Sequence, residues 1–115
     1  MSGQEAAVSA RTAEGGAWLV RIAGDLDGDH MAEAAEVLRR GLRPGGRLTV
    51  VDASGVEFAD SSVLDTLLRA RAAHASAGVA LVIAGASVPL RRLLDVTGTA
   101  SAFVLVDSVQ AAMTY

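Results

Sequence analysis

The stretch Arg47-Leu-Thr-Val-Val-Asp-Ala-Ser-Gly55, followed by Asp60-Ser61-Ser62 and then by Leu64, Leu67, Leu68 and Ala75, decides the fold. Its first part is apolar enough for an interior strand, and its last part repeats apolar residues at helical spacing. A strand that feeds a helix in this way is half of a β-α-β unit. The residues between them stand where a helix presents unpaired N–H groups and the positive end of its dipole. Asp60 can cap that helix, or Ser62 can do so with Asp65 completing a Ser-x-x-Asp box. Ser61 and Ser62 then read as surface hydroxyls on a rigid shoulder, where an added phosphate is well tolerated.

The same alternation extends in both directions. Upstream, residues 6–12 fit a short edge strand, Glu14-Gly15-Gly16 a turn, and Ala17-Trp-Leu-Val-Arg-Ile-Ala23 a second strand, together a hairpin. The loop Gly24-Asp-Leu-Asp-Gly-Asp29 leads to a helix over about residues 30–42, with Met31, Ala34, Ala35, Leu38 and Leu42 on one stripe. Arg43-Pro44-Gly45-Gly46 breaks it. Downstream, Gly78 is a C-cap for the Ser-bearing helix, and Val79-Ala-Leu-Val-Ile-Ala84 is a strand covered on both faces. A short helix over 87–97 around Leu90, Leu93 and Leu94 ends at Thr97-Gly98; Phe103-Val-Leu-Val106 is a last strand, and Asp107-Ser108 caps a terminal helix through Met113. The order ββαβαβαβα predicts an α/β fold, one domain over residues 1–115 with a mixed, mostly parallel sheet flanked by helices. Sites in such sheets lie beyond the carboxyl ends of strands, so the loop 24–29 and the segment 60–62 are expected to share one edge.

Composition narrows the function. A chain of 115 residues that is 51% hydrophobic and 20% charged builds one compact core. A net charge of −3 without a basic stripe argues against nucleic acid; Arg39-Arg40 and Arg91-Arg92 are isolated pairs. All ten basic residues are arginine, which reads as codon bias. With only Trp18, Phe58, Phe103 and Tyr115 as aromatics, a base-stacking platform is not expected. No cysteine means no disulfide and no sulfur-built zinc site. The start, Met-Ser-Gly-Gln-Glu, has no signal-like character, and no apolar run nears the roughly 20 residues of a membrane span, so a cytoplasmic location is expected.

Three groups of residues resemble one family. The first is the apolar strand with Asp52, then Phe58 and Asp60-Ser61-Ser62, similar to the Asp-Ser-Ser/Thr-Gly motif of the STAS-domain anti-sigma factor antagonists. The second is Gly24-Asp25-Leu26-Asp27, like that family's Gly-Glu/Asp-Leu-Asp before its first helix. The third is Leu90-Arg91-Arg92-Leu93-Leu94 with Thr97-Gly98 after it. The resemblance spans nearly the whole chain and implies a STAS-like domain with no catalysis of its own and no cofactor. It implies that Ser61 is phosphorylated by an anti-sigma serine kinase of the histidine-kinase-like ATPase fold. The unmodified chain would bind that kinase and free a sigma factor, and a serine phosphatase would reverse the modification. Asp60 would help hold the segment, and Asp25, Asp27, Asp60, Ser61, Ser62 and Val63 would form the partner-binding surface. Whether the domain forms a homodimer is left open.

The family's usual glycine after the second hydroxyl residue is Val63 here, bulkier and stiffer. It favours the alternative of an unphosphorylated STAS scaffold or transport-complex subunit. Other readings of the same residues are plainer. Asp25, Asp27 and Asp29 could suggest a cation site, but they lack the twelve-residue loop with its terminal glutamate, so turn and cap roles are expected. His30 and His74 stand apart, His74 beside Arg71 on an expected exposed face, and no nucleophile–base–acid set can be assembled. A small flavodoxin-like enzyme or nucleotide binder would need a phosphate-cradling glycine loop, and Gly24-x-x-x-Gly28 is not one.

Overall fold

The computed structural model describes residues 6–115. In chain order it contains β1 (Ala7–Thr12), β2 (Trp18–Asp25), α1 (Gly28–Arg39), β3 (Leu48–Phe58), α2 (Ser61–Ala77), β4 (Ala80–Ala84), α3 (Val88–Val96), β5 (Val104–Val106) and α4 (Val109–Ala112), with single 3-10 turns at 14–16, 40–42 and 100–102. The expected order of strands and helices is therefore observed. The five strands form one sheet in the order β1-β2-β3-β4-β5. β1 is antiparallel to β2, and β2 through β5 run parallel.

That sequential order places the helices. Parallel crossovers are right-handed by rule, and three successive crossovers of one hand moving in the same direction put α1, α2 and α3 on the same face. The larger core accordingly joins Val20, Val51 and Ile83 of the sheet to Met31, Leu38, Leu67, Leu90 and Leu94 of those helices. The opposite face is covered differently. Leu19, Leu48, Val50, Val82 and Ala84 pack there against Ala112, with Val109 and Met113 partly buried beside it. A four-residue helix, together with Ala13 and Ala17 beside the β1–β2 turn, thus covers the second face among the described residues.

α2 buries a face one residue away from the expected stripe. Val63, Leu67 and His74 are its buried residues, whereas Ala75 is exposed. His74, expected on the outside, is 1% exposed. Its Nδ1 lies 2.8 Å from the Ala70 carbonyl oxygen and its Nε2 2.9 Å from Thr49 Oγ1. A carbonyl can only accept, so Nδ1 carries the proton and Nε2 accepts from the threonine hydroxyl. Burial is tolerable because both ring nitrogens are satisfied.

Desolvation holds the His74 pKa below the usual 6.5, against a smaller upward pull from the Ala70 hydrogen bond. The unfolded chain therefore takes up this proton more readily than the folded one. The stability linked to neutral His74 is complete above the unfolded value of about 6.5 and is lost as pH falls through the depressed folded value. Urea unfolding midpoints measured at pH 7.5 and pH 5.5 should show a drop at the lower pH, above the range where most carboxylates titrate. The drop should vanish in His74→Leu; a variant that keeps it would assign the effect to another group.

Candidate functional site

The carboxyl ends of β2 and β3 are neighbours, with Gly24 paired to Val56 and Asp25 to Phe58. The loops that leave them enter α1 and α2, so two helix N-termini open on one edge, as expected from the sequence. Within Gly24-Asp25-Leu26-Asp27 each residue has a distinct physical task. Gly24 adopts φ 86°, a left-handed conformation that glycine takes at little cost, where the β2–β3 register shifts. Leu26 is fully buried in the main core and holds the loop down. Asp27 caps α1, its Oδ1 3.1 Å from the His30 N–H and 2.7 Å from His30 Nδ1. The backbone bond from His30, followed by the side-chain bond, holds the Asp27 pKa below the ordinary carboxylate value. The cap role expected for this loop is observed. Asp25 and Asp29 are exposed.

The second helix start resolves which residue caps it. Asp60 is the N-cap of α2. Its Oδ1 accepts from the Ser62 N–H at 2.9 Å, the Ser62 hydroxyl at 2.6 Å and the Val63 N–H at 3.4 Å. The Ser62 hydroxyl bond is the largest cause of a lowered Asp60 pKa, with the two backbone donors adding to it and partial burial opposing. Asp65, the other half of the alternative Ser-x-x-Asp box, instead pairs with Arg69 at 2.8 Å on the helix surface.

The two hydroxyls are thus separated by their surroundings. Ser62 is half-buried with its proton directed at Asp60. Ser61, the first residue of α2, is exposed, and its hydroxyl has no hydrogen-bond partner among the described residues. Val63 is fully buried in the main core. Its bulk is directed inward, so at this edge it fixes the first turn of α2 instead of presenting a surface of its own. Phe58, three residues before Ser61, is 51% exposed, an unusual placement for one of two phenylalanines in the chain. An aromatic residue just before a helix cap is the sequence signal for it.

The edge presents carboxylates, one exposed aromatic ring and one hydroxyl without a hydrogen-bond partner among the described residues. Among the described residues no group of three or more His, Asp and Glu is placed to hold a metal ion. A groove of about 220 Å³ between α1 and α2 is lined by Leu38, Leu42, Ala70, Ala73 and His74 with Arg39 and Arg69, and by none of the site residues. No helix among the described residues is long and apolar enough to cross a membrane.

No curated protein sequence matches the chain. Among solved structures, a serine-to-glutamate variant of RsbS from Moorella thermoacetica superposes with a TM-score of 0.79 at 20% identity, covering 93% of this chain and 92% of that one. An anti-sigma factor antagonist from Mycobacterium paratuberculosis gives 0.76 at 22% identity, covering 96% and 92%. The phosphorylated form of the Bacillus cell fate determinant SpoIIAA gives 0.75 at 14% identity, covering 94% and 97%. At these identities the likeness is one of fold. A family model described as "Mlab, STAS domain" matches residues 9–107, from β1 through β5 and across both helix starts of the edge. On that match, the chain belongs to the STAS-domain family.

Proposed function

We infer that this protein is an anti-sigma factor antagonist. It binds an anti-sigma serine kinase in its unmodified form, which frees a sigma factor, and it is released when Ser61 is phosphorylated. A serine phosphatase restores it, and the chain itself is a substrate with no catalysis of its own. The observation that carries this reading is the division of labour at the α2 start. Asp60 caps, Ser62 is tied to the cap, Val63 is core, and Ser61 alone is left as an exposed hydroxyl on a rigid turn. An acceptor needs an accessible hydroxyl held in a defined place, and the helix dipole lowers the cost of the phosphate that results. Structural neighbours include an antagonist and a phosphorylated SpoIIAA, which is consistent with this reading.

One feature favours a second reading. The buried Val63 stiffens the turn where the family's usual residue is glycine, and a sulfate transporter family protein from Wolinella succinogenes is also similar in fold, with a TM-score of 0.60 at 19% identity. Both suit a STAS module that acts unmodified, as a fixed scaffold or transport-complex subunit. Intact-mass and peptide mass spectrometry on the protein from its host, across growth and stress conditions, separates the two. The switch reading expects one added phosphate of about 80 Da at Ser61 that varies with condition. An unmodified Ser61 under every condition would overturn it in favour of the fixed subunit.

A further inference from the structure

Charge is segregated along this chain. Residues 22–38 and 48–68 together carry nine carboxylates and no arginine; Glu36, Asp52 and Asp65 pair with Arg39, Arg21 and Arg69 just outside these segments, and the carboxylates at the edge itself are Asp25, Asp27, Asp29, Glu57 and Asp60. The two segments meet at the carboxyl edge of β2 and β3. Asp25 and Asp29 are exposed there without an ion-pair partner among the described residues. Glu57 is exposed in the same strand end. In their midst stands Phe58, paired in register with Asp25. Three residues of chain can separate its Cα from that of Ser61 by at most about 11 Å, so one docked surface would cover both.

The arrangement resembles the anatomy of an interface, in which an aromatic anchor near the centre is surrounded by charged groups at the rim. We propose that Phe58 is the anchor by which this edge docks its partner, and that the complementary face is an apolar pocket rimmed by cationic side chains. This rests on the kinase-binding reading above and names the chemistry of the kinase face. The two kinds of residue have separate tasks. Carboxylates at the rim steer encounter and act on the association rate, with a dependence on salt. The ring, once buried, acts on the dissociation rate. The same division reconciles an acidic edge with release by phosphate: the phosphate is added beside the anchor, where docking removes water, and not at the solvated rim. A dianion there carries a desolvation cost that rim attraction does not recover.

The test uses the unmodified chain and each of the host's histidine-kinase-like serine kinases, purified, with association and dissociation followed by biolayer interferometry. Against the kinase that binds, Phe58→Ala should weaken affinity about thirtyfold or more, through faster dissociation, with the melting temperature unchanged. Asp25→Asn with Asp29→Asn should slow association several-fold and flatten its salt dependence, leaving dissociation unchanged. Tight binding that ignores Phe58→Ala overturns the anchor while leaving the kinase reading intact. Binding that ignores the Asn substitutions overturns the cationic rim. If none of these kinases binds the wild-type chain, the kinase reading fails and the anchor proposal with it. Sedimentation of the chain alone supplies the remaining outcome: a homodimer dissociated by Phe58→Ala would assign the ring to self-association and overturn the proposal.

Discussion

Gly41→Ala is expected to lower the melting temperature by about 10 °C or more. Gly41 is buried in the turn after α1. A Cβ built there would lie 2.2 Å from Thr49 Oγ1, 3.1 Å from His74 Nε2 and 3.2 Å from Trp18 Cδ1. None of the three can step aside cheaply. Thr49 and His74 are buried and bonded to each other, and the Trp18 indole is fixed by its 2.8 Å bond to the Val37 carbonyl. Two effects of opposite sign compete. Replacing glycine by alanine restricts the unfolded chain and, at this φ, favours folding by roughly 0.4–1 kcal/mol. Overpacking a site with rigid walls costs typically about 1–3 kcal/mol and occasionally more, and here it also parts a buried hydrogen bond. The steric term wins. Gly28→Ala provides the control, since nothing lies within 4 Å of a Cβ at that position. Thermal unfolding of the two variants should therefore move in different directions or by very different amounts. Equal shifts would show that the cost of alanine in this chain is general and not set by the Thr49–His74–Trp18 contact.

The same contact explains where sequence reading stopped. Strands, helices and their order were legible because apolar periodicity and Gly/Pro punctuation are local signals. The phase of α2 was not. Leu64, Leu67 and Leu68 point to a stripe that Ala75 would continue, yet the buried face runs through Val63, Leu67 and His74. The histidine on that face is satisfied by the hydroxyl of Thr49, 25 residues away. No local pattern encodes such a pair. The tip of β3 was hidden for a related reason. β3 carries one more residue than β2 between the Arg21–Asp52 and Ala23–Gly55 pairs, and again between Gly24–Val56 and Asp25–Phe58. Each irregularity breaks the period of two, so alternation from Val51 cannot say where Phe58 points. The edge itself was legible: two loops after parallel strands must open on the same side of the sheet. The cap was legible only as an alternative, because Asp60 and Ser62 are both good N-caps and the choice rests on side-chain geometry.

Ser61→Asp and Ser61→Glu should weaken binding to the kinase about a hundredfold or more, and Ser61→Ala should bind as the unmodified chain does while resisting phosphorylation. The folded state gives no reason for the loss. Ser61 is the first residue of α2, and a negative charge at that position is stabilised by the helix dipole by about 0.3–1 kcal/mol. Far-UV spectra and melting temperatures of the acidic variants should match the wild type. The effect must therefore arise in the complex, where a surface next to Phe58 is stripped of water. A carboxylate or phosphate enclosed there loses hydration worth several kcal/mol, and each 1.4 kcal/mol is a tenfold change in affinity. Asp60 does not offset that loss, because its own negative charge is fixed by the Ser62 and Val63 donors and adds repulsion. Isothermal titration of the three variants against the kinase reads the prediction directly. If the alanine and aspartate variants bound alike, charge at Ser61 would not be the switch, and control would have to lie in the geometry of the turn that Val63 holds in place.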